Sequence, residues 1–184
     1  MDTKTIKEML INSYKGRNKK MAIDKHTLDK SLSGNRAQVY FDGEKATVVH
    51  RGTQDFSDII TDGLAGIGIE TNRFKHGKKI EDKAIKKYGK DNITSVGHSL
   101  GGLIAERSNK KINTITLNKP VYPNEIIKVI PKNQIDIKTT NDIFSPLRRF
   151  QKGRKAINIK STTMNPFKEH TVNTLNRINK KIYF

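Results

Sequence analysis

The segment Gly97-His98-Ser99-Leu100-Gly101 constrains this chain more than any other stretch. It reads G-x-S-x-G. Before it lies a short apolar run, Ile93 to Val96, and after it an apolar-periodic stretch through Leu100, Leu103 and Ile104. The pattern predicts a strand, a tight turn and a helix, with a serine at the tip of the turn. A serine held this way is strained and lifts its hydroxyl clear of the sheet, within reach of a base. Glycines on either side let strand and helix approach at a distance that a Cβ would block. A further glycine, Gly102, keeps the first helical turn slim.

Around this turn the chain alternates between the two periodicities. Ile6, Met9, Leu10 and Tyr14 recur at helical spacing over residues 5–15, with Asp2 or Thr3 as cap. Leu28 and Leu32 suggest a short helical turn in a basic, glycine-punctuated stretch. Ala37–Phe41 and Ala46–His50 are two strand-like runs joined across Asp42-Gly43, a hairpin signal. Phe56, Ile59 and Ile60 suggest a helix. A second helix is expected over residues 73–89, where Ile80, Ala84, Ile85 and Tyr88 share a face. After the elbow come a helix over 100–110, strands over 114–117, 135–139 and 156–159, and a last helix from about His170 to Lys180. Strands alternating with helices predict an α/β fold: a mostly parallel central sheet with flanking helices and an antiparallel N-terminal hairpin. The expected organisation is one domain over 1–184, with 1–36 as an N-terminal helical segment packed on it.

Composition narrows the chemistry. The chain has no cysteine, so disulfides and thiolate metal sites are excluded. No apolar run approaches membrane-spanning length, and the charged start Met1-Asp2-Thr3-Lys4 lacks the apolar core of a signal peptide. A cytoplasmic or virion-associated location is therefore expected over secretion. Net charge is +18, with no acid between Ile143 and Lys168. Arg148, Arg149, Lys152, Arg154 and Lys155 concentrate the excess there. Such a stretch attracts polyanions, an anionic membrane or nucleic acid, or else is simply a solvated basic face.

A serine hydroxyl needs a base, and the base needs an orienting group. On sheets with this elbow the chain order is Ser, acid, His. Of His26, His50, His76, His98 and His170, only His170 follows Ser99. His98 belongs to the elbow and is expected to point elsewhere. His50 reads as a core residue of its strand, and His26 and His76 as solvated. The acid lies among Glu106, Glu125, Asp136, Asp142 and Glu169. Asp142 follows the strand Ile135–Thr139, at the end where ligands gather in an open α/β sheet. Asn141-Asp142 is also good turn chemistry. Asp136 falls within the strand and reads as structural, and Glu169 would point away from His170. An oxyanion needs donors. The N–H of Leu100 heads a helix, and Arg51-Gly52-Thr53 ends an earlier strand where Thr53 offers an N–H and a hydroxyl.

With these residues in place the chain resembles the class 3 lipases, fungal- and plant-type triacylglycerol lipases of α/β-hydrolase fold. The resemblance rests on His50-Arg51-Gly52-Thr53, Gly97-His98-Ser99-Leu100-Gly101-Gly102, Leu117-Asn118-Lys119-Pro120, Asn141-Asp142 and His170, and covers about residues 37–180. Compact, virus-encoded members look most similar over Leu28–Thr53. The family implies Ser99 as nucleophile, Asp142 and His170 as its partners, and Thr53 with Leu100 as oxyanion hole. It also implies a lid over residues 63–72, with Leu64, Ile67 and Ile69 facing substrate. No metal and no cofactor is implied, and the substrate is a lipid or other carboxylic ester. Secreted members carry a signal peptide and disulfides, neither of which is expected here, and the chain is shorter between Ser99 and His170. Two other readings stand beside ester hydrolysis by a lipase: a phospholipase or lysophospholipase on anionic membrane, and a silent hydrolase fold serving as a basic binding module.

Overall fold

A computed structural model describes residues 1–16, 18–53, 69–121, 129–143 and 156–184, with backbone only for 69–71. The expected helix through Phe56, Ile59 and Ile60 lies outside the described residues. So do the lid positions Leu64 and Ile67, the candidate acid Glu125, and the basic cluster Arg148, Arg149, Lys152, Arg154 and Lys155.

Among the described residues eight strands form one sheet in sequential order. They are β1 (Ala22–Ile23), β2 (His26–Leu28), β3 (Ala37–Phe41), β4 (Ala46–His50), β5 (Ile93–His98), β6 (Asn113–Leu117), β7 (Gln134–Thr139) and β8 (Ala156–Ile159). Pairing is antiparallel from β1 to β4 and parallel from β4 to β8. The fold is thus α/β with a mostly parallel sheet and an antiparallel N-terminal part, as the alternating periods indicate. Helices α1 (Thr3–Ser13), α2 (Ile69–Tyr88), α3 (Leu100–Ser108) and the single turn α4 (Pro166–Glu169) flank it.

Both faces of the sheet are covered, which is why all five residues of β4 are buried, Thr47 and His50 included. On one face Ile6, Met9 and Leu10 of α1 pack with Val49, Val96, Ile115, Leu117 and Ile137. On the other, Ala84 of α2 meets Val39, Val48 and Ile93. Asp2 caps α1 by accepting from Thr5 N at 2.7 Å, and Thr3 N donates to Lys180 O, so the chain ends meet.

Three local expectations are corrected. Leu28 does not belong to a helical turn; it ends β2 and pairs with Tyr40. The helix expected from His170 to Lys180 is instead a 3-10 segment, Val172–Arg177. Val172, Leu175 and Ile178 recur every third residue, the period of a 3-10 helix rather than an α-helix. His26 is buried, with its Nε2 3.8 Å from the Asp42 carboxylate. Its polar sequence neighbours suggested solvent; the hairpin turn brings the carboxylate to it.

Candidate active site

The elbow is strained where sequence places it. Ser99 joins β5 to α3 at φ 56° and ψ −131°, a region non-glycine residues seldom occupy. Tight packing over-determines that conformation. A Cβ on Gly97 would sit 2.1 Å from the Gly101 carbonyl oxygen, and one on Gly101 would sit 2.2 Å from the His50 carbonyl oxygen. Ser99 is 1% exposed, and its Oγ makes no hydrogen bond among the described residues. A buried hydroxyl without a partner is costly, and such a group needs a reason to persist. Leu100 is the first residue of α3, so its N–H has no acceptor within the helix.

Asp142 and His170 come together from the C-terminal ends of the neighbouring parallel strands β7 and β8. Asp142 follows β7, and His170 caps α4. Both are buried, and His170 Nδ1 donates to the Asp142 carboxylate. That bond sets the tautomer and leaves Nε2 as the basic nitrogen. Two anchors hold the pair. Asn118, at φ 47° after β6, donates from Nδ2 to Glu169 O (3.0 Å) and accepts from Thr139 N (2.8 Å). The Glu169 carboxylate accepts from Thr162 N, Thr163 N and Arg177, so it points away from the imidazole. Asp136 belongs to a different network, accepting from Thr116 Oγ1 (2.6 Å) and Gln134 Nε2 (2.8 Å). Glu106 is paired with Lys119. Among the described candidate acids, Asp142 alone bonds the His170 ring.

His98 departs from expectation. It does not turn away from the site: its ring lies 4.9 Å from that of His170, centroid to centroid, and its Nδ1 is 3.1 Å from the Tyr14 hydroxyl. Burial, reinforced by the neighbouring His170, holds its pKa well below that of free histidine, so it is neutral. The Tyr14 hydroxyl also accepts from Gly52 N at 3.1 Å. Burial pushes the Tyr14 phenol up to about 12, so it stays protonated. Its proton is then available to His98 Nδ1.

The Arg51-Gly52-Thr53 loop packs on the elbow, since a Cβ on Gly52 would lie 2.7 Å from His98 O and 3.4 Å from Ser99 Cβ. Arg73 of α2 grips the loop from the other side. Its Nη2 donates to Arg51 O (2.6 Å) and Gly52 O (3.4 Å), and its Nη1 lies 3.5 Å from Thr53 Oγ1. A trans peptide sets its C=O and N–H on opposite sides. Holding the Gly52 carbonyl therefore aims the Thr53 N–H away from Arg73, and holding the Arg51 carbonyl aims the Gly52 N–H at Tyr14. Sequence reading missed Tyr14, Arg73 and Asn118 as functional supports. Tyr14 and Arg73 lie far from the elbow along the chain, and no local pattern marks them.

The remaining histidines lie elsewhere. His50 is a core residue, with Nε2 2.8 Å from Glu81 Oε1, which also accepts from Ser95 Oγ. His76 is half-buried on α2. Ile69 begins α2, within the stretch expected as a lid. Among the described residues no group of three His, Asp or Glu side chains is placed to hold a metal ion.

The comparisons agree with this architecture. A family model described as a Tle-like phospholipase domain matches residues 12–118. The Lip2 lipase of Yarrowia lipolytica is similar in structure, with a TM-score of 0.58 at 19% identity over 91% of this chain and 80% of that one. A triacylglycerol lipase whose catalytic centre is formed by a serine protease triad gives 0.55 at 16%, over 89% and 80%. The Rhizomucor miehei lipase in complex with its propeptide gives 0.54 at 16%, over 89% and 68%. These likenesses establish the α/β-hydrolase fold. Among curated proteins none matches the chain.

Proposed function

The chain belongs to the Tle-like phospholipase domain family and is a carboxylic ester hydrolase, and from that premise we propose that it cleaves lipid esters through an acyl-serine intermediate. The observation that carries the reading is the buried Asp142–His170 pair, whose imidazole lies 4.9 Å from the ring of His98, the chain neighbour of a strained Ser99 whose hydroxyl lacks a hydrogen bond among the described residues. Ser99 Oγ attacks the ester carbonyl while His170 Nε2 takes its proton. Asp142 keeps Nδ1 protonated and stabilises the imidazolium. The N–H groups of Leu100 and Thr53 receive the oxyanion, in a field made positive by Arg51 and Arg73. His170 then gives its proton to the departing alkoxide. Water repeats the sequence on the acyl-enzyme and frees the acid.

The family description favours a phospholipid over a neutral glyceride as substrate. A fluorophosphonate probe tests the mechanism: labelling is expected in the native chain and absent in Ser99→Ala. A native chain that takes no label would leave a silent hydrolase fold acting as a binding module. Release of fatty acid from phospholipid vesicles, compared with a triglyceride emulsion, then separates the two lipid classes.

A further inference from the structure

Two large apolar side chains stand in solvent on the turn that carries His170. Met164 is 88% exposed and Phe167 45%. The turn is a built element. Asn165 Oδ1 accepts from Phe167 N (3.0 Å) and Lys168 N (3.2 Å), and Pro166 starts α4 with its φ preset. The Glu169 carboxylate gathers the N–H groups of Thr162 and Thr163. Asn141, the neighbour of Asp142, donates to Thr163 O at 3.4 Å. His170 N donates to Phe167 O at 3.1 Å. The turn is thus tied to the acid, the base and the rest of the C-terminal segment, and it still holds both side chains out in water.

Single exposed apolar residues are ordinary; the position and company of these two are not. They follow the C-terminal end of β8, the end of the parallel strands where Ser99 and Asp142 also lie. Exposed Tyr183 and Phe184 lie at the opposite end, where Ile182 N bonds Met1 O and α1 begins. Exposed Lys160 and Lys168 flank the turn. The nearest carboxylate in sequence, Glu169, is fully buried and paired with Arg177.

We propose that the Met164–Phe167 turn is a docking surface for an anionic phospholipid bilayer, with both side chains entering the interface and Lys160 and Lys168 meeting the headgroups. The proposal rests on the reading of the site as acting on lipid esters. Apolar side chains inserted at the headgroup boundary and cations near an anionic surface add to one another. Docking here sets Ser99, Asp142 and His170 at the membrane face, so an ester need not cross bulk water to reach them.

The chain has no tryptophan, so Phe167→Trp introduces a lone indole reporter. The probe is phosphatidylcholine vesicles with and without phosphatidylglycerol. The expected result is a blue shift on vesicles containing phosphatidylglycerol, quenching by brominated acyl chains, and a weaker response in high salt. Met164→Ser with Phe167→Ser should lower vesicle affinity by at least about tenfold, and the ratio of vesicle to soluble-ester turnover by a similar factor. An indole whose emission stays unshifted and unquenched on vesicles that the protein binds would overturn the proposal, whether or not the double variant folds. Equal response to pure phosphatidylcholine would overturn the part given to Lys160 and Lys168. A shift that appears with protein concentration and no vesicles would assign the turn to a second copy of the chain, and so overturn the bilayer as occupant. A protein that inserts but hydrolyses no ester keeps the docking surface and loses the site reading; hydrolysis without insertion does the reverse.

Discussion

Replacing Gly101 by alanine tests whether the elbow and the Arg51-Gly52-Thr53 loop share one tight contact. The added Cβ would lie 2.2 Å from the His50 carbonyl oxygen, 2.9 Å from its carbon and 3.0 Å from the Arg51 carbonyl carbon. The first of these is about 1 Å inside ordinary van der Waals contact. All three are backbone atoms, so no side chain can swing away. The end of β4 must retreat from α3 and carry Arg51-Gly52-Thr53 with it. Overpacking of this kind costs about 1–3 kcal/mol, or a fall in Tm of several degrees for a chain this size. The catalytic loss should be larger in proportion. Misplacing a positioned group by about 1 Å costs roughly 10²-fold, near the lower limit for losing one oxyanion donor. Turnover of a soluble short-chain ester should therefore fall about 10²-fold, mostly in kcat, while fluorophosphonate labelling slows in step. Gly34→Ala is the control: nothing lies within 4 Å of its added Cβ, and Tm should hardly move. A Gly101→Ala chain that melts with the native protein and keeps turnover within about twofold would refute the shared-contact argument.

Three further outcomes are expected. Asp142→Asn should cut ester turnover by roughly 10³–10⁴ with the fold intact. Asp136→Asn should spare turnover and lower Tm, because the buried carboxylate that accepts from two donors becomes an amide with donors of its own to satisfy; the reverse ranking in the same assay would move the acid to Asp136. Tyr14→Phe removes the acceptor of the Gly52 N–H and the partner of His98 Nδ1, so kcat should drop roughly tenfold with a measurable fall in Tm; unchanged kinetics would confine Tyr14 to packing. Asp29 accepts from Lys87, Tyr88 and Ser31, and these bonds outweigh burial and hold its carboxyl well below the usual carboxylate range. The folded state then binds this proton more weakly than the unfolded chain, so its stabilisation is present above about pH 4 and lost as pH falls further. Asp29→Asn should flatten the acid limb of Tm against pH, and an unaltered limb would discount this carboxyl.

Local periodicity made much of the fold legible. The elbow, the 37–50 hairpin and the parallel centre each rest on a short apolar pattern with its own turn residues. His170 was singled out by chain order, and Asp142 by its place after a strand. What escaped has a common cause. β1 and β2 span two and three residues, too short for a period to register. The C-terminal segment was misread because spacings of three and of three-to-four look alike over a few residues. The contacts of His26 and His98 are made by residues distant in sequence, Asp42 across a hairpin and Tyr14 and His170 from opposite ends of the chain.

The sequence by itself determined the longer elements and their order, because hydrophobic period and turn chemistry act over a few residues. It also determined the elbow, where glycine alone permits the approach of β5 and α3. The tertiary structure decided which side chains meet. Asn118 clamping the His170 turn, Arg73 and Tyr14 clamping the Arg51-Gly52-Thr53 loop, and Met164 with Phe167 exposed on the turn before His170 all depend on how the ends of separate strands gather on one side of the sheet. A hydrogen bond depends on positions within a few tenths of an ångström, and between residues 38 or 51 apart only the folded chain sets such a position.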